Sequence, residues 1–163
     1  MHIDHSEYTI LLADDSVSNL EKMKSLLAGE NFKLLPTLEA DEVFLLAKLR
    51  LPDMIIIRLA LEEGKGVTVV RQLKQSALTK QIPILYMTIP NRYEDFRKVV
   101  DYEGVEFVSR PLSKRELILR INYWNHSVSS KGRMNVFKAY PILKTSCILL
   151  SLMICGPRSV RLK

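Results

Sequence analysis

Five short apolar runs, at residues 9–13, 32–35, 54–57, 82–87 and 105–108, are each followed by a segment whose apolar residues recur at helical spacing. In the first such segment the recurring residues are Leu20, Met23, Leu26 and Leu27; in the second, Val43, Leu46, Ala47 and Leu49; in the third, Val67, Val70 and Leu73. Phe96, Val99 and Val100 mark a fourth, and Leu117, Ile118, Ile121 and Trp124 a fifth. Punctuation agrees with the division. Ser16 or Ser18 can cap the first helix and Gly29 stop it, Pro52 closes the second, and Gly64, Lys65 and Gly66 lead into the third. Gly104 ends the segment 91–102, and Ser113 with Glu116 spells a capping box. Strands alternating with helices predict an α/β fold: a parallel sheet covered on both faces, because each right-handed crossover needs a helix to return the chain. The third run, Met54 with Ile55, Ile56 and Ile57, has the unbroken apolar character of a central strand.

In sheets of this kind ligands and chemistry gather beyond the carboxyl ends of the strands. The residues found there are Asp14 and Asp15 after the first run, Arg58 after the third, Thr88 after the fourth, and Ser109, Arg110 and Pro111 after the fifth. Taken alone, Asp14 and Asp15 read equally well as a solvated turn or as acids favoured by a helix N-terminus, and Arg58 as an unpartnered surface residue. Thr88 alone is a loop hydroxyl, and Phe107 a half-buried ring.

The pattern of strand ends closely resembles the receiver domain of two-component signalling over residues 8 to about 125. That family carries an acidic pair after its first strand, an aspartate after the third, a Ser or Thr after the fourth, and Lys-Pro after the fifth. The resemblance implies a flavodoxin-like, doubly wound five-stranded sheet in the order 2-1-3-4-5. It aligns Asp14 and Asp15 with the acidic pair, Arg58 with the phospho-acceptor, Thr88 and Phe107 with the switching hydroxyl and aromatic, and Arg110-Pro111 with Lys-Pro. The third-strand register is anchored by Pro52 and Asp53 before four apolar residues, and by Gly66 downstream. Asp53 cannot replace the missing acceptor, since it begins the strand and lies roughly 15 Å from its far end at about 3.3 Å per residue.

A guanidinium has no lone pair to attack phosphorus and keeps its charge at any physiological pH. The expectation is therefore a receiver that forms no aspartyl phosphate, with Arg58 as built-in counter-ion to Asp14 or Asp15. With one ligand missing and a resident cation present, Mg²⁺ should bind weakly, and no other cofactor is expected. Arg58 and Arg110 against Asp14 and Asp15 would form a charge-balanced cluster that holds one conformation. Thr88 and Phe107 leave some capacity for switching.

Charge separates the chain into parts. Seven of the 24 Lys and Arg residues, and none of the 18 Asp and Glu, fall in residues 127–163, so residues 1–126 carry a balance of −1 and the net +6 belongs to the tail. No nucleic-acid partner is expected, because the body offers no polyanion-steering surface and no helix-turn-helix pattern is present. The expected organisation is an N-terminal extension at 1–7, the receiver-like domain at 8–126 and a basic, apolar tail at 127–163. Residues 142–155 contain Lys144 and fall short of the ~20 residues that cross a bilayer. The tail reads as the remnant of a truncated or frame-altered output domain, as a segment lying on a membrane surface, or as one docked on a partner.

Cys147 and Cys155 have no compact zinc spacing and cannot staple a secreted domain, His2 and His5 lack a third ligand, and His126 stands alone. With no secretory pattern at residues 1–7, the expected location is the cytoplasm. The expected role is non-enzymatic: contact with a kinase, another receiver or an output protein, through a face drawn from residues 91–124. The alternative is the regulatory piece of a signalling enzyme, a cyclic-dinucleotide cyclase or phosphodiesterase.

Overall fold

The computed structural model of the protein describes residues 8–58, 65–88, 97–109 and 112–129, with side chains through His126. Five parallel strands form one sheet: β1 (Thr9–Asp14), β2 (Lys33–Thr37), β3 (Met54–Arg58), β4 (Ile84–Thr88) and β5 (Val105–Ser109). Their order is β2-β1-β3-β4-β5, the flavodoxin-like arrangement. The described helices are α1 (Val17–Leu27), α2 (Ala40–Arg50), α3 (Lys65–Gln75) and α4 (Lys114–Ser129). Of the amphipathic segment expected at 91–102, residues up to Phe96 lie outside the described part, and a single turn at 97–99 is described.

Strand alternation sorts the core into two layers. Leu11, Ala13, Ile55, Ile57, Ile84, Tyr86 and Phe107 pack with Val43 and Ala47 of α2 and with Val67, Val70 and Leu73 of α3. On the opposite face, Ile10, Leu12, Met54, Ile56, Leu85, Met87 and Val108 meet Leu20, Met23 and Leu27 of α1 and Leu117 and Ile121 of α4. A period of two places successive side chains on opposite faces, so the central strands, covered on both sides, must be apolar at every position. Burial of those side chains is the main stabilising term.

Ser16 is the N-cap of α1, accepting at Oγ from the Asn19 N–H, and the helix closes at Ala28, just before Gly29 at φ +87°. Ser113 Oγ accepts from the Glu116 N–H as expected. The Glu116 carboxylate, however, is engaged forward with Arg120. Leu49 departs from the expected inward stripe: it is 69% exposed, while Val43 and Ala47 supply the buried face of α2. Strand β2 starts one residue later than its apolar run and continues through Pro36 to Thr37, held by pairing with β1. Its edge position tolerates a residue without an N–H. Gly66 sits inside α3, whose described part starts at Lys65.

Candidate functional site

The carboxyl edge of the sheet brings Asp14 and Arg58 face to face. They are register partners across β1 and β3, and both follow the alternation of Ile10, Leu12, Met54 and Ile56 onto the α1 and α4 face. Arg58 Nη1 donates to Asp14 Oδ1 at 3.0 Å and to Oδ2 at 3.1 Å. Asp14 Oδ1 also accepts from the Ser16 N–H at 2.9 Å and from Asn19 Nδ2 at 3.3 Å. The first turn of α1 supplies both donors, because Ser16 caps the helix and Asn19 returns one turn later above the strand end.

Asp14 is buried whereas Asp15 is exposed, and Asp15 Oδ1 stands 4.0 Å from Arg58 Nη1. Burial lifts the Asp14 carboxyl above its ordinary value; the Ser16 N–H and the Arg58 cation pull it back, and the neighbouring Asp15 carboxyl raises it further. The guanidinium is thus the cation closest to the acidic pair among the described residues, in contact with both oxygens of its buried member.

Thr88 ends β4 and pairs with Ser109 of β5, at the same edge of the sheet. Ile57 pairs with Tyr86, so Thr88 stands two residues beyond that pair and Arg58 one. Phe107 is buried, not half-buried, and its ring lies 5.3 Å from that of Tyr86. Asp53 accepts at Oδ2 from the Thr9 N–H at the opposite edge, as its place at the start of β3 requires. Arg110 and Pro111 lie outside the described residues, as do His2, His5, Cys147 and Cys155. Among the described residues no group of three or more His, Cys, Asp or Glu could hold a metal ion. Nor is any described helix long and apolar enough to cross a membrane.

Asn19 was not singled out by its sequence; its polar side chain in the first turn of a helix after two acids was the available signal. A second polar cluster, under α4, was also missed. Glu106 of β5 shares the face of Val108 and pairs with Arg120 of α4, and both are buried. Arg120 Nη2 donates to Glu116 Oε1 at 3.0 Å, and Trp124 Nε1 donates to Glu106 Oε2 at 2.9 Å. This cluster fastens the edge strand to the last described helix.

The family model described as the response regulator receiver domain matches residues 10–122. The phosphate regulon transcriptional regulatory protein PhoB of Pseudomonas aeruginosa is 26% identical over 113 residues, which is 69% of this chain and 49% of PhoB. The chain therefore spans about half the length of that relative. Among solved structures, the signal receiver domain of a signal transduction histidine kinase from Syntrophus aciditrophicus superposes with a TM-score of 0.68 at 21% identity, covering 78% of this chain and 97% of that one. The receiver domain of a sensor histidine kinase from Pseudomonas aeruginosa, with a magnesium ion coordinated in its active-site cleft, gives 0.64 at 18% identity, covering 74% and 98%.

Proposed function

Because this chain belongs to the response regulator receiver domain family, we propose that it acts in two-component signal transduction by protein–protein contact, without conventional aspartyl phosphorylation. The observation that carries this reading is the contact of Arg58, at the carboxyl end of β3, with both oxygens of Asp14. By its resemblance to the family, position 58 is the phospho-acceptor position. Phosphoryl transfer there requires a carboxylate nucleophile. Arginine supplies none, and its guanidinium puts a fixed positive charge where the product would carry a negative one.

The donor set also fits a divalent cation poorly. Mg²⁺ asks for near-octahedral oxygen ligation, and both oxygens of Asp14 already accept from Arg58. In this reading Asp14 and Asp15 are neutralised by an internal cation, and Thr88 and Phe107, at the switching hydroxyl and aromatic positions, keep some capacity for conformational change beside their packing at the β4 and β5 edge. The domain comprises residues 8–126, works in the cytoplasm without catalysis of its own, and recognises a kinase, another receiver or an output protein. By the resemblance to the family, Arg110 and Pro111 hold the Lys-Pro positions.

The test is incubation with acetyl phosphate and Mg²⁺, read by intact mass, on the protein and on Arg58→Asp. A labile phosphoryl mass gain confined to Arg58→Asp is expected. The same gain on the unsubstituted protein would overturn the reading.

A further inference from the structure

Helix α2 turns apolar residues outward. Leu45 is 56% exposed and Leu49 69%, and the flanking residues Leu38 and Leu51 are 41% and 55% exposed. Leu45 and Leu49 are one turn apart on the outer face of the helix, and Leu38 lies just before its N-cap Glu39. The inner face is already satisfied, since Val43 and Ala47 are fully buried against β1, β3 and α3. Exposed leucines occurring singly need no explanation, but a stripe of them on one helix marks a contact surface.

Leu51 adds an independent sign. It caps α2 in the left-handed region, at φ 45°, with its N–H donating to the Ala47 carbonyl. Glycine is the residue favoured there, because a Cβ is strained in that conformation. The leucine side chain is nevertheless mostly exposed, so its burial within the chain does not offset that strain.

What fits against the stripe follows from the charges on either side of it. The first turn of α2 carries Asp41 and Glu42, and the last turn Lys48 and Arg50. Asp41 and Lys48 are seven residues apart, hence two turns apart on nearly the same line, with Leu45 between them. Such a placement also suits the helix dipole, which accounts for the charges but not for the leucines separating them. Acid at one end, base at the other and leucine at the centre make a surface complementary to itself when reversed. That is the requirement of a two-fold contact, in which each residue meets its reciprocal partner.

We infer that the outer face of α2 is a homodimer interface, in which two copies of this chain pack antiparallel through Leu45 and Leu49, with Asp41 of each copy paired to Lys48 of the other. The contact is independent of the Arg58 and Asp14 pair and of the reading built on it.

Analytical ultracentrifugation of the full chain across a concentration series tests this. A reversible monomer–dimer equilibrium is expected, weakened at least about tenfold by Leu45→Glu. Asp41→Lys and Lys48→Asp should each weaken it, and the double substitution, which exchanges the two charges, should restore it. Circular dichroism should show all four folded, since each side chain is exposed, with at most a small loss of helix where the charge reversals oppose the dipole. A chain that stays monomeric throughout, or a dimer indifferent to Leu45→Glu and to both single charge reversals, would overturn the inference. A dimer weakened by each reversal but not restored by the exchange would overturn the antiparallel pairing.

Discussion

Arg58 and Asp14 are direct partners in the parallel ladder of β3 and β1, and one guanidinium nitrogen of Arg58 reaches both oxygens of the Asp14 carboxylate. The pairing follows from strand parity as much as from charge. Residues 10, 12 and 14 of β1 and residues 54, 56 and 58 of β3 all turn to the α1 and α4 face, so a cation at 58 has the acid at 14 beside it. Arg58 is a neighbour fixed by backbone register, whichever rotamer its side chain explores.

A cation held there should exclude another. Isothermal titration with MgCl₂ is expected to give no saturable heat on the unsubstituted protein over the millimolar range. Arg58→Asp, which removes the guanidinium and adds a third carboxylate beside Asp14 and Asp15, should give a saturable isotherm. Equal saturable heats for the two proteins would show that Arg58 does not occupy the acidic pair in solution.

The raised pKa of Asp14 sets the sign of a pH effect. A carboxyl whose folded value lies above its ordinary 3.8 binds its proton more tightly when folded. Its stabilising contribution is therefore complete below the ordinary value and is lost as pH rises through the folded one. Relative to Asp14→Asn, the native protein should lose unfolding free energy as pH rises above 3.8, measured by urea denaturation at each pH. A difference that grows in the native protein's favour over that range would mean that attraction to Arg58 outweighs burial.

The strands and the residues at their carboxyl edge were legible because parallel strands read as unbroken apolar runs and end at polar residues, whereas the strand order followed from the resemblance to the receiver family. Asp14, Arg58 and Thr88 each follow such a run directly. Glu106 was not legible: it interrupts an edge-strand run as a solvent-facing residue would, and its partner Arg120 sits in an otherwise ordinary amphipathic helix fourteen positions on. Only packing of α4 on β5 makes them a buried pair. Leu49 was misplaced for a different reason. Helix α2 is apolar at Leu45, Leu46 and Leu49 as well as at Val43 and Ala47, so periodicity admits more than one inner face, and tertiary packing chose Val43 and Ala47.

The buried pair of Glu106 and Arg120 should be far costlier to break than to replace. Arg120→Met leaves the Glu106 carboxylate buried with Trp124 Nε1 as its remaining described donor, a loss of about 3–5 kcal/mol for a broken buried pair. Adding Glu106→Gln removes the stranded charge and should recover a substantial part of that loss. Urea unfolding followed by Trp124 fluorescence measures both, since Trp124 is the one tryptophan of the chain and touches the pair directly. Additive losses in the double variant would mean that the two side chains are not coupled.

Gly104 offers a test of backbone geometry at the entry to β5. It has φ +78°, and an added Cβ would stand 3.1 Å from Lys74 Nζ. That ammonium is buried at the end of α3, where it donates to the carbonyls of Lys80 at 3.1 Å and Ile82 at 2.8 Å and so fixes the turn leading into β4. An alanine at 104 meets two obstacles: a left-handed conformation that costs roughly 1–2 kcal/mol for a residue with a Cβ, and an amine that must retreat from its carbonyls. Gly104→Ala should therefore destabilise by more than the conformational cost alone. In Lys74→Met the amine is absent, and the penalty for adding Gly104→Ala should shrink toward the conformational cost. A thermodynamic cycle over the four proteins separates the two contributions, and an unchanged penalty in the Lys74→Met background would show that Lys74 yields freely.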